Sequence, residues 1–248
     1  MTSYHPCIII PVYNHHRFID TTLQKTSSKN LAVILVNDGS TQECVAVLQD
    51  VVDRYQGQIT LIHLNQNQGK GGAVIAGFKE AFRQGFTHAL QIDADGQHNT
   101  DDIEKFISQS QSYPNDIICG QPMYDASVPK GRLYGRYITH FWVWVETLSF
   151  DIKDSMCGFR VYPLDKTITL LETTDIGKRM DFDIEILVRL YWKGVKIQNV
   201  ETKVIYPEDG ISHFKMFKDN VRISKMHTRL FFGMIWRLPI LLRRKFVS

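Results

Sequence analysis

His88-Ala-Leu-Gln-Ile-Asp-Ala-Asp-Gly-Gln-His-Asn99 is the stretch around which the chain is organised. Its opening, Ala89 to Ile92, has the length and apolar content of a buried strand. Two acids one residue apart, Asp93 and Asp95, close it, and Gly96 follows at once. On a strand, residues i and i+2 share a face, so the two carboxylates would point the same way. Held that close they repel, unless a cation lies between or beside them. Their hard oxygens suit Mg²⁺ or Mn²⁺, and such ions keep coordination sites open for phosphate oxygens. Gly96 allows a tight turn, while Gln97 and His98 are near enough to add a ligand or orient one. The alternative is a strand end with two solvated acids and an ordinary Asp-Gly turn.

The flanking sequence weighs on that choice. Cys7-Ile-Ile-Ile-Pro-Val12 and Leu31-Ala-Val-Ile-Leu-Val36 are unbroken apolar runs, as in parallel strands buried on both faces. Ile59–Leu64 and Asp116–Gly120 are further strands. Between them fall helices over Phe18–Lys25, from Ser40 or Thr41 as a cap to about Tyr55, over Ala73–Gln84, and over Thr100 to about Ser112. Five strand-helix alternations imply an α/β fold with an open, mostly parallel sheet flanked by helices. Such sheets bind ligands at the carboxyl ends of their strands. The loops that fall there are Tyr13-Asn14, Asn37-Asp38-Gly39, Asn65–Gly72 and Asp93–Gln97. Gly69-Lys-Gly-Gly72 opens a helix and could offer backbone N–H groups to phosphate, or be a glycine-rich turn with a surface lysine. It is not a Walker A loop.

Length and composition set outer bounds. The 248 residues, 44% hydrophobic and 22% charged, suit one large globular unit. No apolar run is long enough to span a bilayer. The four cysteines are scattered, with no C-x-x-C pair, which fits a reducing, cytoplasmic setting. The net charge of +3 conceals a division: residues 215–248 hold nine Lys or Arg and one acid, so the preceding body is mildly acidic. A basic tail points to an anionic partner.

Taken together, Cys7-Ile-Ile-Ile-Pro-Val-Tyr-Asn14, Val36-Asn-Asp-Gly-Ser40, Asn67-Gln-Gly-Lys-Gly-Gly-Ala73 and Gln91–His98 resemble the family-2 glycosyltransferases of the GT-A fold. The resemblance is strongest to the dolichyl- or polyprenyl-phosphate glycosyltransferase group, whose D-x-x-x-G-F-R element is matched by Asp154–Arg160. It covers roughly residues 5–210. It implies that Pro11, Val12, Tyr13 and Asn14 line the base pocket of a nucleoside-diphosphate sugar, UDP- or GDP-linked. Asp38 would accept hydrogen bonds from base or ribose, Gly69 and Lys70 would lie near ribose and diphosphate, and Asp93 would contact nucleotide or metal. Asp93 and Asp95, with Gln97 assisting, would hold the divalent cation.

The second half carries the acceptor expectations. Lys130, Arg132 and Arg136 precede an apolar helix, Ile138–Phe150, with Trp142 and Trp144. These cations could bind an acceptor phosphate beside an apolar wall; alternatively the helix is core, with buried tryptophans and snorkelling arginines. Arg160 belongs to the same acceptor set through its motif, and to the catalytic one. Asp181 and Glu185 lie four apart at a helix start, with Asp183 between them. These acids are either a general base for an acceptor hydroxyl, Asp183 foremost, or charges that satisfy the helix dipole. A phosphate acceptor needs no base. Gly210-Ile-Ser-His-Phe214 resembles a further element of the group, in which His213 could approach the diphosphate.

In the tail, Lys215, Lys218, Arg222, Lys225 and Arg229 recur at spacings that form one helical stripe, with Met216, Phe217, Ile223, Leu230, Phe231, Met234, Ile235 and Leu238 largely opposite. Pro239 is expected to interrupt the helix. A basic amphipathic helix of this kind suits a membrane surface better than nucleic acid. The sequence therefore divides into a GT-A domain over 1–210 and a membrane-associating segment over 211–248. It describes a metal-dependent glycosyltransferase, peripheral on the cytoplasmic face of a membrane, that moves a sugar with inversion to a lipid-linked or polyprenyl-phosphate acceptor. Transfer to a glycan or lipid hydroxyl is the alternative among enzymes. A non-catalytic nucleotide-sugar-binding or scaffold protein is the alternative outside them. Nothing in the sequence speaks to oligomeric state.

Overall fold

A computed structural model describes residues 3–27, 31–55, 57–123, 130–204 and 215–247. Seven strands form one sheet in the order β3-β2-β1-β4-β6-β5-β7. They are β1 (Pro6–Val12), β2 (Ala32–Asn37), β3 (Ile59–His63), β4 (His88–Gln91), β5 (Ile117–Met123), β6 (Arg160–Pro163) and β7 (Ile197–Lys203). The helices are α1 (His16–Ser27), α2 (Gln42–Arg54), α3 (Lys70–Arg83), α4 (Ile103–Ser112), α5 (Lys130–Thr147), α6 (Leu164–Thr173), α7 (Phe182–Trp192) and α8 (Met216–Val247).

The apolar run in β1 has two partners to satisfy. Cys7 and Ile9 face a cluster that includes Ala73, Val74 and Phe78 of α3. Ile8 and Ile10 face the opposite cluster, with Ile19 and Leu23 of α1 and Leu48 of α2. Each of these isoleucines is fully buried, which stabilises the fold by roughly 1.5–3 kcal/mol per side chain. β1 pairs in parallel with β2 and β4, and β2 in parallel with β3, so all four carboxyl ends open on one edge.

The sheet is mostly parallel, as expected, with one strand reversed. β6 runs antiparallel to both β4 and β5, while β5 and β7 are parallel. Only four residues long and led by an arginine, it has no apolar run to announce it. Its insertion sets Arg160 opposite Gln91. One correction concerns the tail. α8 is continuous through Pro239. Pro239 lies on the exposed side, so the carbonyl it leaves without an intrahelical partner can bind water. α8 joins the body through Met226, Leu230 and Met234, which share a core cluster with Leu187 and Leu190 of α7 and Val143 of α5.

Candidate active site

The acidic pair does not lie on a strand. β4 ends at Gln91, and Asp93–His98 forms the turn beyond it, with Gly96 at φ 72°. The two carboxylates take different partners. Asp93 Oδ2 receives Lys70 Nζ at 2.8 Å and faces His98 Nε2 at 3.4 Å. Asp95 Oδ1 accepts the Gln97 backbone N–H at 3.0 Å. Burial alone would raise the Asp93 carboxyl, but Lys70 and His98 outweigh it and hold the group well below the usual carboxylate range.

Lys70, the first residue of α3, is the centre of this end of the molecule. Its ammonium bridges Asp93 and Asp183 Oδ2, the latter at 2.7 Å. Burial disfavours its charge, yet the two acids more than compensate and raise its pKa. The other Asp183 oxygen, Oδ1, accepts from Gln91 Nε2 at 3.0 Å. Asp93, Lys70, Asp183 and Gln91 thus form one line from the turn after β4 to the start of α7, half-buried at Asp93 and Lys70 and buried at Asp183 and Gln91. Gly158 seals it from the side. A Cβ there would stand 2.7 Å from both Asp93 Oδ2 and Lys70 Nζ, so a side chain at this position of the D-x-x-x-G-F-R element would displace that ion pair.

The loop before α3 is locked to Asp38. Asp38 Oδ1 accepts from Gln68 N at 2.7 Å, and Oδ2 accepts from Gly69 N at 2.8 Å and Asn67 Nδ2 at 3.0 Å. Asp38 is 2% exposed, and in this arrangement its oxygens hold the loop. Contact with a base or ribose requires that loop to release it. Gly69 sits at φ 92°, and a Cβ would strike Lys178 O and Arg179 at 2.6 Å. Gly72 N–H donates to Lys178 O at 3.0 Å, so the segment before α7 already takes one of the N–H groups at the α3 start. Arg179 closes the same seam by donating to Asn67 Oδ1 at 3.1 Å. Pro11 and Val12 end β1, and Tyr13 and Asn14 follow beside Ser40. Asn14, at φ 55°, receives Thr41 N–H on its Oδ1 at 2.9 Å.

The three acids at the start of α7 separate by face. Asp183 points to Lys70 and Gln91. Asp181 Oδ1 accepts from Arg179 N at 3.2 Å, and Glu185 Oε2 from Gly177 N at 2.9 Å. Asp181 and Glu185 share a face as the spacing implied, but that face holds the 177–179 turn. Glu185 is fully buried, with Arg189 at 2.7 Å and Arg229 at 3.0 Å, which leaves it no access to an acceptor. The general-base expectation for Glu185 is corrected on that ground.

Two arginines also depart from expectation. Arg160 is fully buried and donates to the Asp183 carbonyl at 2.5 Å and to Tyr162 Oη at 3.3 Å. It lies beneath the site rather than in reach of an acceptor. Arg136 forms a two-pronged pair with Asp154, at 2.7 and 3.0 Å, fixing α5 to the D-x-x-x-G-F-R loop. The Arg132 side chain, Lys130 side chain and Gly210–Phe214, including His213, lie outside the described residues.

The donor set suits a hard divalent cation. Asp93 Oδ1 is buried with no hydrogen-bond partner, and Asp95 and Gln97 stand in the same turn. Among the described residues no three His, Cys, Asp or Glu side chains converge as a closed ligand cage. An ion held by one or two carboxylates, with its other positions given to phosphate oxygens, is the usual arrangement for Mg²⁺.

Residues 7–166 match the family model described as Glycosyl transferase family 2. The chain belongs to that family. Over 93% of its length it is 26% identical to the dolichyl-phosphate beta-glucosyltransferase of Dictyostelium discoideum, covering 76% of that protein. Over 81% it is 26% identical to the UDP-N-acetylglucosamine–dolichyl-phosphate N-acetylglucosaminyltransferase of Methanococcus voltae, covering 86% of it. Among solved structures, glucosyl-3-phosphoglycerate synthase from Mycobacterium tuberculosis, in complex with Mn²⁺, UDP-glucose and phosphoglyceric acid, superposes with a TM-score of 0.66. The match covers 94% of this chain and 80% of that one at 10% identity, a likeness of fold alone. The S. aureus TarS 1-349 structure gives a TM-score of 0.56 at 14% identity; the match covers 79% of this chain, which spans 58% of the TarS chain. The fold is GT-A, and the protein is a glycosyltransferase.

The face formed by α5 and α8 completes the description. A groove of about 430 Å³ runs between the two helices, lined by Ile138, Trp142, Ile223, His227 and Phe231. It shares Asn220, Ser224 and Thr228 with a shallower hollow at Met216, Phe217 and Val221. Around it Tyr134, Tyr137 and Phe141 of α5 are exposed, as are Phe232, Ile235 and Trp236 of α8. The tryptophans differ: Trp144 donates to Ile152 O at 2.9 Å and packs, while Trp142 lines the groove. Arg222 pairs with Asp219 and Arg229 with Glu185, whereas Lys215, Lys218 and Lys225 are exposed. Among the described residues no helix is long and apolar enough to cross a membrane.

Proposed function

We propose that this protein transfers a sugar, with inversion, from a UDP-sugar to a polyprenyl-phosphate lipid at a membrane surface. The single observation that carries the reading is the pairing of the Asp93–Lys70–Asp183 line with an open apolar groove between α5 and α8. The first is a place for a charged diphosphate, the second for a hydrocarbon chain. The printed names of the relatives supply the substrates: a dolichyl phosphate in two of them and a UDP-sugar in one. Bound Mg²⁺ or Mn²⁺ would neutralise the leaving diphosphate as a Lewis acid. Asp93, Asp95 and Gln97 would hold it, and Lys70 would face the same phosphates. Pro11, Val12, Tyr13, Asn14 and Asp38 would border the base and ribose, with Gly69 at the turn into α3.

On the acceptor side, Asp183 holds Lys70 and fixes the start of α7. A phosphate monoester is ionised near neutral pH and needs no proton removed. If the acceptor were a hydroxyl instead, Asp183 would be the acid to take its proton, a reading supported by the enclosure of Glu185. The exposed rings of α8 and the lysines beside them would lie against anionic headgroups, presenting the groove to the lipid.

The test is transfer of labelled sugar from UDP-glucose or UDP-N-acetylglucosamine to dolichyl phosphate, with dolichol in a parallel reaction. Product on the phosphate alone is expected. Product on the alcohol alone would establish the hydroxyl reading. Nucleotide binding without transfer to either would point to a sugar-nucleotide-binding protein.

A further inference from the structure

Gln91 is fully buried and ends β4, the strand that leads into the acidic turn. Its register partner across the sheet is Arg160 of β6, also fully buried. Both side chains converge on one residue of another element. Gln91 Nε2 donates to Asp183 Oδ1 at 3.0 Å, and Arg160 donates to the Asp183 backbone carbonyl at 2.5 Å. The carboxylate of Asp183 is thereby held at one oxygen by Gln91 and at the other by Lys70. A carboxylate tethered at one oxygen can rotate about its side-chain bonds; tethered at both, it cannot. The polar pair is costly to bury in a sheet of isoleucine, valine and leucine, and the hydrogen bonds to Asp183 offset part of that cost.

We infer that Gln91 is a positioning residue: it orients the Asp183 carboxylate, and through it the Lys70 ammonium, while Arg160 fixes the backbone from which Asp183 projects. The inference rests on the reading that Asp183 works in turnover. Gln91 touches no substrate in this scheme. Its removal leaves the donor loops intact and loosens the Lys70–Asp183 contact.

The test compares Gln91→Met, of similar length but without a donor, Gln91→Glu, Asp183→Asn and the Gln91→Met/Asp183→Asn double variant. Transfer is followed from UDP-glucose to dolichyl phosphate, with UDP affinity by calorimetry, thermal unfolding and a crystal structure of Gln91→Met. Gln91→Met should lower kcat about tenfold, the scale of a lost hydrogen bond to a charged group, with a smaller fall in UDP affinity than in kcat. Gln91→Glu should cost more, because it sets a second carboxyl against the first. In the double variant the Gln91→Met change should have little further effect, since both act through one group. In the crystal, the Asp183 side chain should leave its present contact with Lys70. Normal kcat in Gln91→Met beside an inactive Asp183→Asn would overturn the role of Gln91 and leave that of Asp183. Normal kcat in both would remove the reading beneath it. A matching fall in UDP affinity, kcat and thermal midpoint, with Asp183 unmoved in the crystal, would mark Gln91 as structural only.

Discussion

The two ends of this molecule handle exposure in opposite ways. At the carboxyl ends of β1 to β4 the charged groups are buried or half-buried and meet polar partners: Lys70 lies between two acids, and Asp38 accepts from three residues of its neighbouring loop. Along α5 and α8 the reverse holds, with Tyr137, Phe141, Phe232 and Trp236 turned outward. Under the proposed function the first end would take a small, charged ligand. The second has the character of a surface that associates with something apolar and diffuse. Each end is open to a different kind of test.

The largest expected effects lie in the charged end. Asp95→Ala and Asp183→Asn should each reduce sugar transfer by about 10³-fold or more while the chain remains folded, a scale typical of electrostatic and acid-base groups. Steady-state transfer assays with circular dichroism check this, and near-normal turnover in Asp183→Asn would take that residue out of the reaction. Next comes Gly158→Ala. The added methyl group meets Asp93 and Lys70 at 2.7 Å, so their ion pair must shift. We expect a loss of transfer of about 10- to 100-fold, consistent with the sensitivity of catalysis to small displacements.

A third variant sharpens the contrast from between the ends. Arg136→Ala removes one charged partner of Asp154, which is buried at the motif loop. Burial raises the Asp154 carboxyl, but His140 and Arg136 more than offset it and hold its pKa below the ordinary value. A carboxyl lowered in the folded state contributes stability above its unfolded pKa, about 4, and loses it as pH falls below that. Arg136→Ala should thus destabilise the protein by about 2–3 kcal/mol near neutral pH, the cost of leaving a buried acid with less compensation. The gap from wild type should narrow in acid, as urea unfolding at pH 7 and pH 3 would show. A gap that widened in acid would contradict the sign.

The smallest effects on the isolated protein belong to the apolar end. Phe232→Ser with Trp236→Ser should leave the thermal midpoint nearly unchanged, because neither ring is in the core. The same change should weaken binding to anionic vesicles by about tenfold or more. Lys218→Gln and Lys225→Gln should each cost about 1 kcal/mol of that binding at low salt. Unaltered vesicle binding in the serine variant would move the membrane contact away from α8.

Much of the parallel half was legible because its signals are local. The apolar runs of β1 and β2 and the glycines near Lys70 report their own surroundings. What escaped was set by distant partners. β6 was hidden by its shortness and by Arg160, whose burial depends on α7. That Asp93 and Asp95 lie on a turn with different partners followed from a strand that stops at Gln91, one residue short of the expected Ile92. The spacing of Asp181 and Glu185 was read correctly as one face, but what that face meets, the 177–179 turn, has no mark in the sequence. Lys70 was expected near phosphate as a single cation; its two carboxylate partners come from the turn after β4 and from α7, about ninety residues apart in the sequence. The outward aromatics of α5 could not be told from core aromatics by helical spacing alone.

The measurement that bears most directly on the charged end is calorimetric titration of UDP and GDP, each with and without Mn²⁺, on wild type and Asp95→Ala. Metal-dependent binding of UDP in preference to GDP, lost in Asp95→Ala, is the expected result. Binding of neither nucleotide to the folded protein, or metal-dependent UDP binding that survives Asp95→Ala, would contradict the assignment of the turn after β4 as the donor site.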